Sequence, residues 1–116
     1  MMPAARLDET FAALADPTRR GVIDLLRSQP RRAGELAAQL GMSPPAMSRH
    51  LKVLRTTGLI EPAGDDADAR AKVYRLRPEQ FTALRDWLDQ VEQFWTDQLS
   101  AFKVHAEARV ARRRRS

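Results

Sequence analysis

Cysteine is missing from this chain of 116 residues, and its absence excludes a disulfide framework, a thiolate metal centre and a redox thiol. No stretch approaches the roughly 18 consecutive apolar residues of a membrane span, so no membrane partner is expected. The opening Met1-Met2-Pro3 lacks the apolar core of a secretory signal, which leads us to expect a cytoplasmic protein. There is no glycine-rich phosphate loop behind a strand. The carboxylates fall on a hairpin tip and a solvated helix instead of converging on a histidine, so the pattern argues against an enzyme and calls for no cofactor. A chain this short makes one small domain whose core is thin for a monomer, and a second copy is the expected supplement.

Net charge is +5, but its distribution says more than its size. Arg109, Arg112, Arg113, Arg114 and Arg115 hold the whole excess, leaving residues 1–108 neutral. Within that neutral part, residues 1–60 carry nine basic and five acidic side chains, and residues 61–108 carry six basic and ten acidic. A positive half joined to a negative half suits one surface turned toward phosphates and one turned away. The tail of residues 109–116 has no periodic apolar partner and five like charges, so it is expected to be a disordered extension, either a solvated terminus or a sequence-blind phosphate contact.

The positive half centres on Gly41 to Arg55, a turn followed by one short amphipathic helix. At 100° per residue Met47, Leu51 and Leu54 share one face, while Pro45, Ser48, Arg49, Lys52 and Thr56 share the opposite one. Ser43 is placed to cap the first amides, Pro44 stands where a missing donor costs nothing, and Gly58 ends the helix. The preceding Ala33 to Leu40 has apolar residues at 33, 36, 37 and 40 and ends at Gly41, so the two segments make a helix-turn-helix.

Upstream, Leu7, Phe11 and Leu14 predict a first helix over 5–15 with a narrow apolar stripe. Asp16-Pro17 then caps and starts a second helix through Val22, Ile23, Leu25 and Leu26 to about Ser28, ended by Pro30. Arg19 and Arg20 on its first turn are read as solvated charges or as phosphate contacts. Downstream, 59–63 and 72–76 have strand character and flank a hairpin tip at 64–70, with Tyr74 and Leu76 on one face as core. Arg77-Pro78-Glu79 begins a long helix to about Glu107, in which Phe81, Leu84, Leu88, Val91, Trp95 and Phe102 form one stripe and Trp87, Phe94 and Ala101 another. So much apolar helix face calls for a second copy, although the two tryptophans also admit an intrachain core reading.

Three motifs in this order, Ala-Asp-Pro-Thr-Arg-Arg (15–20), Glu-Leu-Ala (35–37) and Ser-Arg-His-Leu-Lys-Val-Leu (48–54), resemble the ArsR/SmtB family of bacterial winged-helix repressors over roughly residues 7–105. The resemblance implies a mainly α fold with a small β-hairpin, a winged helix-turn-helix, dimerising through its first and last helices. Trp87-Leu88 through Phe94-Trp95 also resemble the metal-independent branch. Relatives that sense soft metals carry cysteines about where Leu36 to Gln39 stand. The other family site needs paired ligands in the last helix, where only Asp97, His105 and Glu107 are on offer, and the last two point to different faces. No metal is expected. Relatives often place a base-reading glutamine where Pro44 stands, which shifts specificity here to Ser48 and Arg49. They also carry a glycine-arginine pair at the wing tip, where this chain has Asp65, Asp66 and Asp68.

The expected function is a sequence-specific regulator of transcription, a homodimeric repressor on a palindromic operator in double-stranded DNA. Domain boundaries are expected at 1–108 for the winged helix and 109–116 for the tail. The DNA-binding set is Ser43, Pro44, Pro45, Ser48, Arg49, His50 and Lys52 on the recognition helix and Arg70 and Lys72 on the wing, with Arg49 as guanine reader and Lys52 as phosphate clamp. His50 flanks the apolar face, which suits packing or a phosphate better than sensing. The dimerisation set is Leu7, Phe11, Leu14, Leu84, Leu88, Val91, Trp95 and Phe102. A protein- or RNA-interaction module is the alternative, but the exposed helix face offers no aromatic stacking platform. Any effector stays unidentified.

Overall fold

Among residues 4–64 and 72–115, which the computed structural model describes, the order is α1 (Ala4–Leu14), α2 (Pro17–Ser28), β1 (Arg31–Arg32), α3 (Ala33–Gln39), α4 (Pro44–Thr56), β2 (Ile60–Pro62), β3 (Val73–Leu76) and α5 (Pro78–Arg115). Contacts group into two units, Met1–Leu84 and Arg85–Ser116. The division thus falls inside α5, where the sequence reading put a boundary at 108. A helix of 38 residues is roughly 57 Å long at 1.5 Å per residue, more than a domain of this size encloses. No helix among the described residues is long and apolar enough to cross a membrane.

In the first unit particular residues write both ends of α4, the start of α2 and the end of α3. Asp16 caps α2 by accepting the Arg19 N–H at 3.0 Å, and Ser43 caps α4 by accepting the Ala46 N–H at 3.3 Å; a proline opens each helix. Gly41 (φ +64°) and Gly58 (φ +83°) turn the chain out of α3 and α4. At the first turn Met42 N–H donates to Ala37 O and Gly41 N–H to Ala38 O, and at the second Leu59 N–H donates to Leu54 O and Gly58 N–H to Arg55 O. Both are Schellman turns, each satisfying two terminal carbonyls and folding a following apolar residue back toward the helix.

Between these ends the apolar faces converge. Val22, Leu36, Met47, Leu54, Leu59 and Ile60 are fully buried, and Leu51, Leu26, Ala13 and Tyr74 complete the core. The sheet is three-stranded, in the order β1-β3-β2, where the sequence pattern predicts only the two-stranded hairpin. Arg31 and Arg32 pair antiparallel with Tyr74 and Val73. A two-residue strand has no alternation to read, which is why it escaped notice. Across the hairpin Glu61 sits opposite Arg75 and binds it at 2.9 Å, with Arg77 at 3.5 Å from the other oxygen.

Arg19 and Arg20 both reach back to the end of α1. The Arg19 guanidinium donates to Ala13 O at 2.6 Å and Ala12 O at 3.1 Å, and Arg20 donates to Leu14 O at 2.8 Å. These cations close the C-terminus of α1, where carbonyls lack partners and the helix dipole is negative. Asp16 beside them has its carboxyl held below its ordinary value, chiefly by the Arg19 N–H, helped by the charges of His50 and Arg19 and opposed by partial burial.

In the second unit α5 continues through residues 109–115, where the charge run predicts a disordered extension. Alanine and arginine are good helix formers, and cations near a C-terminus face the negative end of the dipole, which offsets their repulsion.

Two tests follow from the helix ends. Nothing lies within 4 Å of a Cβ built on Gly41, so Gly41→Ala meets only the left-handed strain and should lower the free energy of unfolding by about 1–2 kcal/mol in a denaturant titration; a change within error would mean the turn tolerates a side chain. Because the Asp16 carboxyl is lowered on folding, its contribution is complete above the ordinary carboxylate pKa and fades as pH falls through the lowered value. Asp16→Asn keeps the cap acceptor but not the charge, so the wild type should melt higher at neutral pH and the two should converge in acid. A melting difference that ignores pH would show the charge to be irrelevant.

Candidate nucleic-acid interface

The exposed side of α4 follows from the same periodicity that buries its other side. Met47, Leu51 and Leu54 are buried, and Pro44, Pro45, Ser48, Arg49, Lys52, Arg55 and Thr56 are exposed. Ser43, exposed at the N-cap, and the cations further along thus occupy one continuous stripe. Arg49 and Lys52 make no ion pair among the described residues. The Schellman turns at both ends and the α3 and α2 packing behind fix the helix, so the stripe is presented without local freedom to turn away.

His50 does not belong to that stripe. Its side chain is 18 % exposed, and Nδ1 stands 3.4 Å from Arg19 Nη1 and 3.9 Å from Asp16 Oδ1. Two positions from Lys52 is about 160° around the helix, which turns the imidazole onto the first turn of α2, in keeping with the packing role that its place beside the apolar face suits. It ties α4 to the junction between α1 and α2.

Lys72, half-buried just before β3, comes close to α4 from the hairpin side. Arg70 and the acidic tip at Asp65, Asp66 and Asp68 lie outside the described residues. Arg55, outside the expected set, shares this face, and its spacing of seven after Ser48 and three after Lys52 is the signal for it. Lys52, Arg55, Lys72 and Ser48 border a cleft of about 280 Å³ backed by Leu51, Tyr74 and Ala33.

Residues assigned to dimerisation divide by environment. Leu14 packs on the core of its own chain, and Leu7, Leu84 and Val91 are half-buried. Phe11 is 41 % exposed, Leu88 49 %, Trp95 59 % and Phe102 71 %. Trp95 meets Phe94 edge-on at 5.8 Å. Asp97, His105 and Glu107, the only ligand candidates of α5 considered for a metal, are all exposed on it.

This arrangement is matched by known proteins. Residues 16–61 fit the family model described as bacterial regulatory protein, arsR family. The chain is 43 % identical over 97 residues to the HTH-type transcriptional regulator Rv2034 of Mycobacterium tuberculosis, spanning 82 % of this chain and 83 % of that protein. Its fold is similar to an ArsR-like transcriptional regulator from Rhodococcus sp. RHA1, with a TM-score of 0.74 and 30 % identity over 90 % of this chain and 93 % of the other. It is also similar to the homodimeric winged helix-turn-helix DNA-binding domain of Mb0332 from Mycobacterium bovis, with a TM-score of 0.59 and 26 % identity over 77 % and 80 % of the two chains.

Proposed function

From the premise that this chain belongs to the arsR family of bacterial regulatory proteins and is a DNA-binding transcriptional regulator, we propose that it acts in the cytoplasm as a homodimeric repressor on a palindromic operator. The observation that carries the reading is the exposed stripe of Ser43, Ser48, Arg49 and Lys52 on a helix whose other face is locked into the core. Such a helix fits the major groove, and a two-fold pair reads half-sites one helical turn apart. Arg49 is the guanine reader, because its fork matches O6 and N7, and Lys52 grips a phosphate. Ser43 and Ser48 add hydroxyls, while Pro44 and Pro45 shape the approach of the helix start without reading bases. Bound across a promoter, the dimer excludes polymerase. No metal enters this reading.

Homodimerisation is supported by the apolar face of the last helix. Leu88, Trp95 and Phe102 would leave an aromatic surface of unusual size in water on a lone chain. A second copy covers it at a self-complementary interface.

Duplexes recovered by selection from random sequence give the operator, and competition with unlabelled duplex and single-stranded RNA tests the class: duplex should displace it and RNA should not. On that operator Arg49→Ala should lose about 1–3 kcal/mol while affinity for random duplex barely changes. Equal losses on both would make Arg49 a backbone contact. For the dimer, Trp95→Glu puts charge into the apolar face, and light scattering should report monomer or aggregate; a retained dimer mass would place the interface elsewhere.

A further inference from the structure

The cleft between α4 and the hairpin has a composition that the reading of the major groove does not use. Ser48, Lys52 and Arg55 line it from one helix face, Lys72 lines it from the start of β3, and Leu51, Ala33 and the buried ring of Tyr74 form its back. Three cations thus surround about 280 Å³. Among the described residues no carboxylate lines this space and none of the three cations forms an ion pair; the ion pairs of the first unit involve Arg27, Arg75, Arg77 and His50 instead. Like charges held together around a concave, partly apolar site raise the local potential and favour an anion there. Their positions are set by the fold: Lys72 O accepts from Ala33 N–H, and Tyr74 pairs with Arg31 on one side and Pro62 on the other.

We propose that this cleft seats a single phosphate group of the DNA backbone, gripped from two elements at once by Arg55 of the recognition helix and Lys72 of the hairpin, beside the phosphate that Lys52 holds. The inference rests on the duplex-binding reading above and adds to it Arg55 and the seat that it shares with Lys72. A backbone phosphate fits better than a free anion because the cleft is continuous with the exposed stripe of α4 and opens beside it. The consequence is geometric. A phosphate held from both sides fixes the angle at which α4 enters the groove, and an acidic tip beyond Gly64 need not touch DNA for the wing to contribute.

The test uses the full chain and a labelled duplex over a range of salt, with wild type, Arg55→Gln, Lys72→Gln and the double variant. One phosphate per protomer contributes nearly one unit to the slope of log K against log salt. The double variant should therefore lower the slope by nearly one per protomer, and each single variant by less, because the remaining cation still holds the same phosphate. Arg55→Lys should retain the wild-type slope, and the ratio of operator to random affinity should stay unchanged throughout. A fall of nearly two per protomer would mean two separate phosphates and overturn the shared seat; an unchanged slope would remove the cleft from DNA contact. A scan with one neutral methylphosphonate per half-site reads the same contact from the DNA side. One position should weaken wild type and leave the double variant indifferent, and the lack of any such position would also overturn the proposal. Calorimetry with millimolar inorganic phosphate separates the other source: saturable binding to wild type that the double variant loses would make the cleft a small-anion site instead. Wild type that binds no duplex even at low salt would sink the underlying reading, an outcome distinct from wild type that binds while the double variant keeps its slope.

Discussion

Met47, Leu51 and Leu54 hold the recognition helix to the body of the protein, and the rest of the architecture is arranged around that contact. A helix of 13 residues is marginal in water on its own and takes its stability from packing. Burying one side of α4 against α2, α3 and the sheet settles the direction of the other, because the same 100° step governs both. The caps and glycine turns then remove the remaining freedom at each end. Affinity for a polyanion is thus a by-product of how an apolar stripe is phased against Ser48, Arg49 and Lys52.

Charge in the first unit falls into two populations. Arg19 and Arg20 close α1, and Arg75 and Arg77 clamp Glu61 at the base of the hairpin. Arg49, Lys52, Arg55 and Lys72 have no ion-pair partner among the described residues, and the last three border the cleft between α4 and the hairpin. The first population spans joints between elements; the second is tied to none. The +4 of residues 1–60 thus overstates the charge that faces outward, and the useful cations reach across the line drawn by that count.

Much of this was legible in the sequence where local chemistry decides. Ser43-Pro44, Asp16-Pro17, Gly41 and Gly58 mark helix ends through cap acceptors, fixed φ and left-handed turns, all short-range effects. The alternation of α4 gave its buried and exposed faces residue by residue. What stayed hidden depends on distant partners. Nothing local says that Arg19 will find the carbonyls of Ala12 and Ala13, because that needs the position of one helix end against the next. The phase of His50 already separated it from Lys52, but its neighbours Asp16 and Arg19 could not be read from it. Strand β1 exists only because Tyr74 and Val73 supply its partners. Residues 109–115 show local propensity prevailing over a charge pattern that argues for disorder.

The guanidinium of Arg19 also changes how damage to this protein would look. It spans the end of α1, the start of α2 and the imidazole on α4, so a single substitution there loosens three helices at their common joint. A genetic screen scored by loss of DNA binding would return Arg19 beside Arg49, as one more arginine near the recognition helix. The two defects would differ in kind: one strips a charge from the exposed face of α4, the other unfastens the joint that holds that helix in place. Only a melting curve, or the recovery of function at lower temperature, would tell a curator of such variants which had occurred.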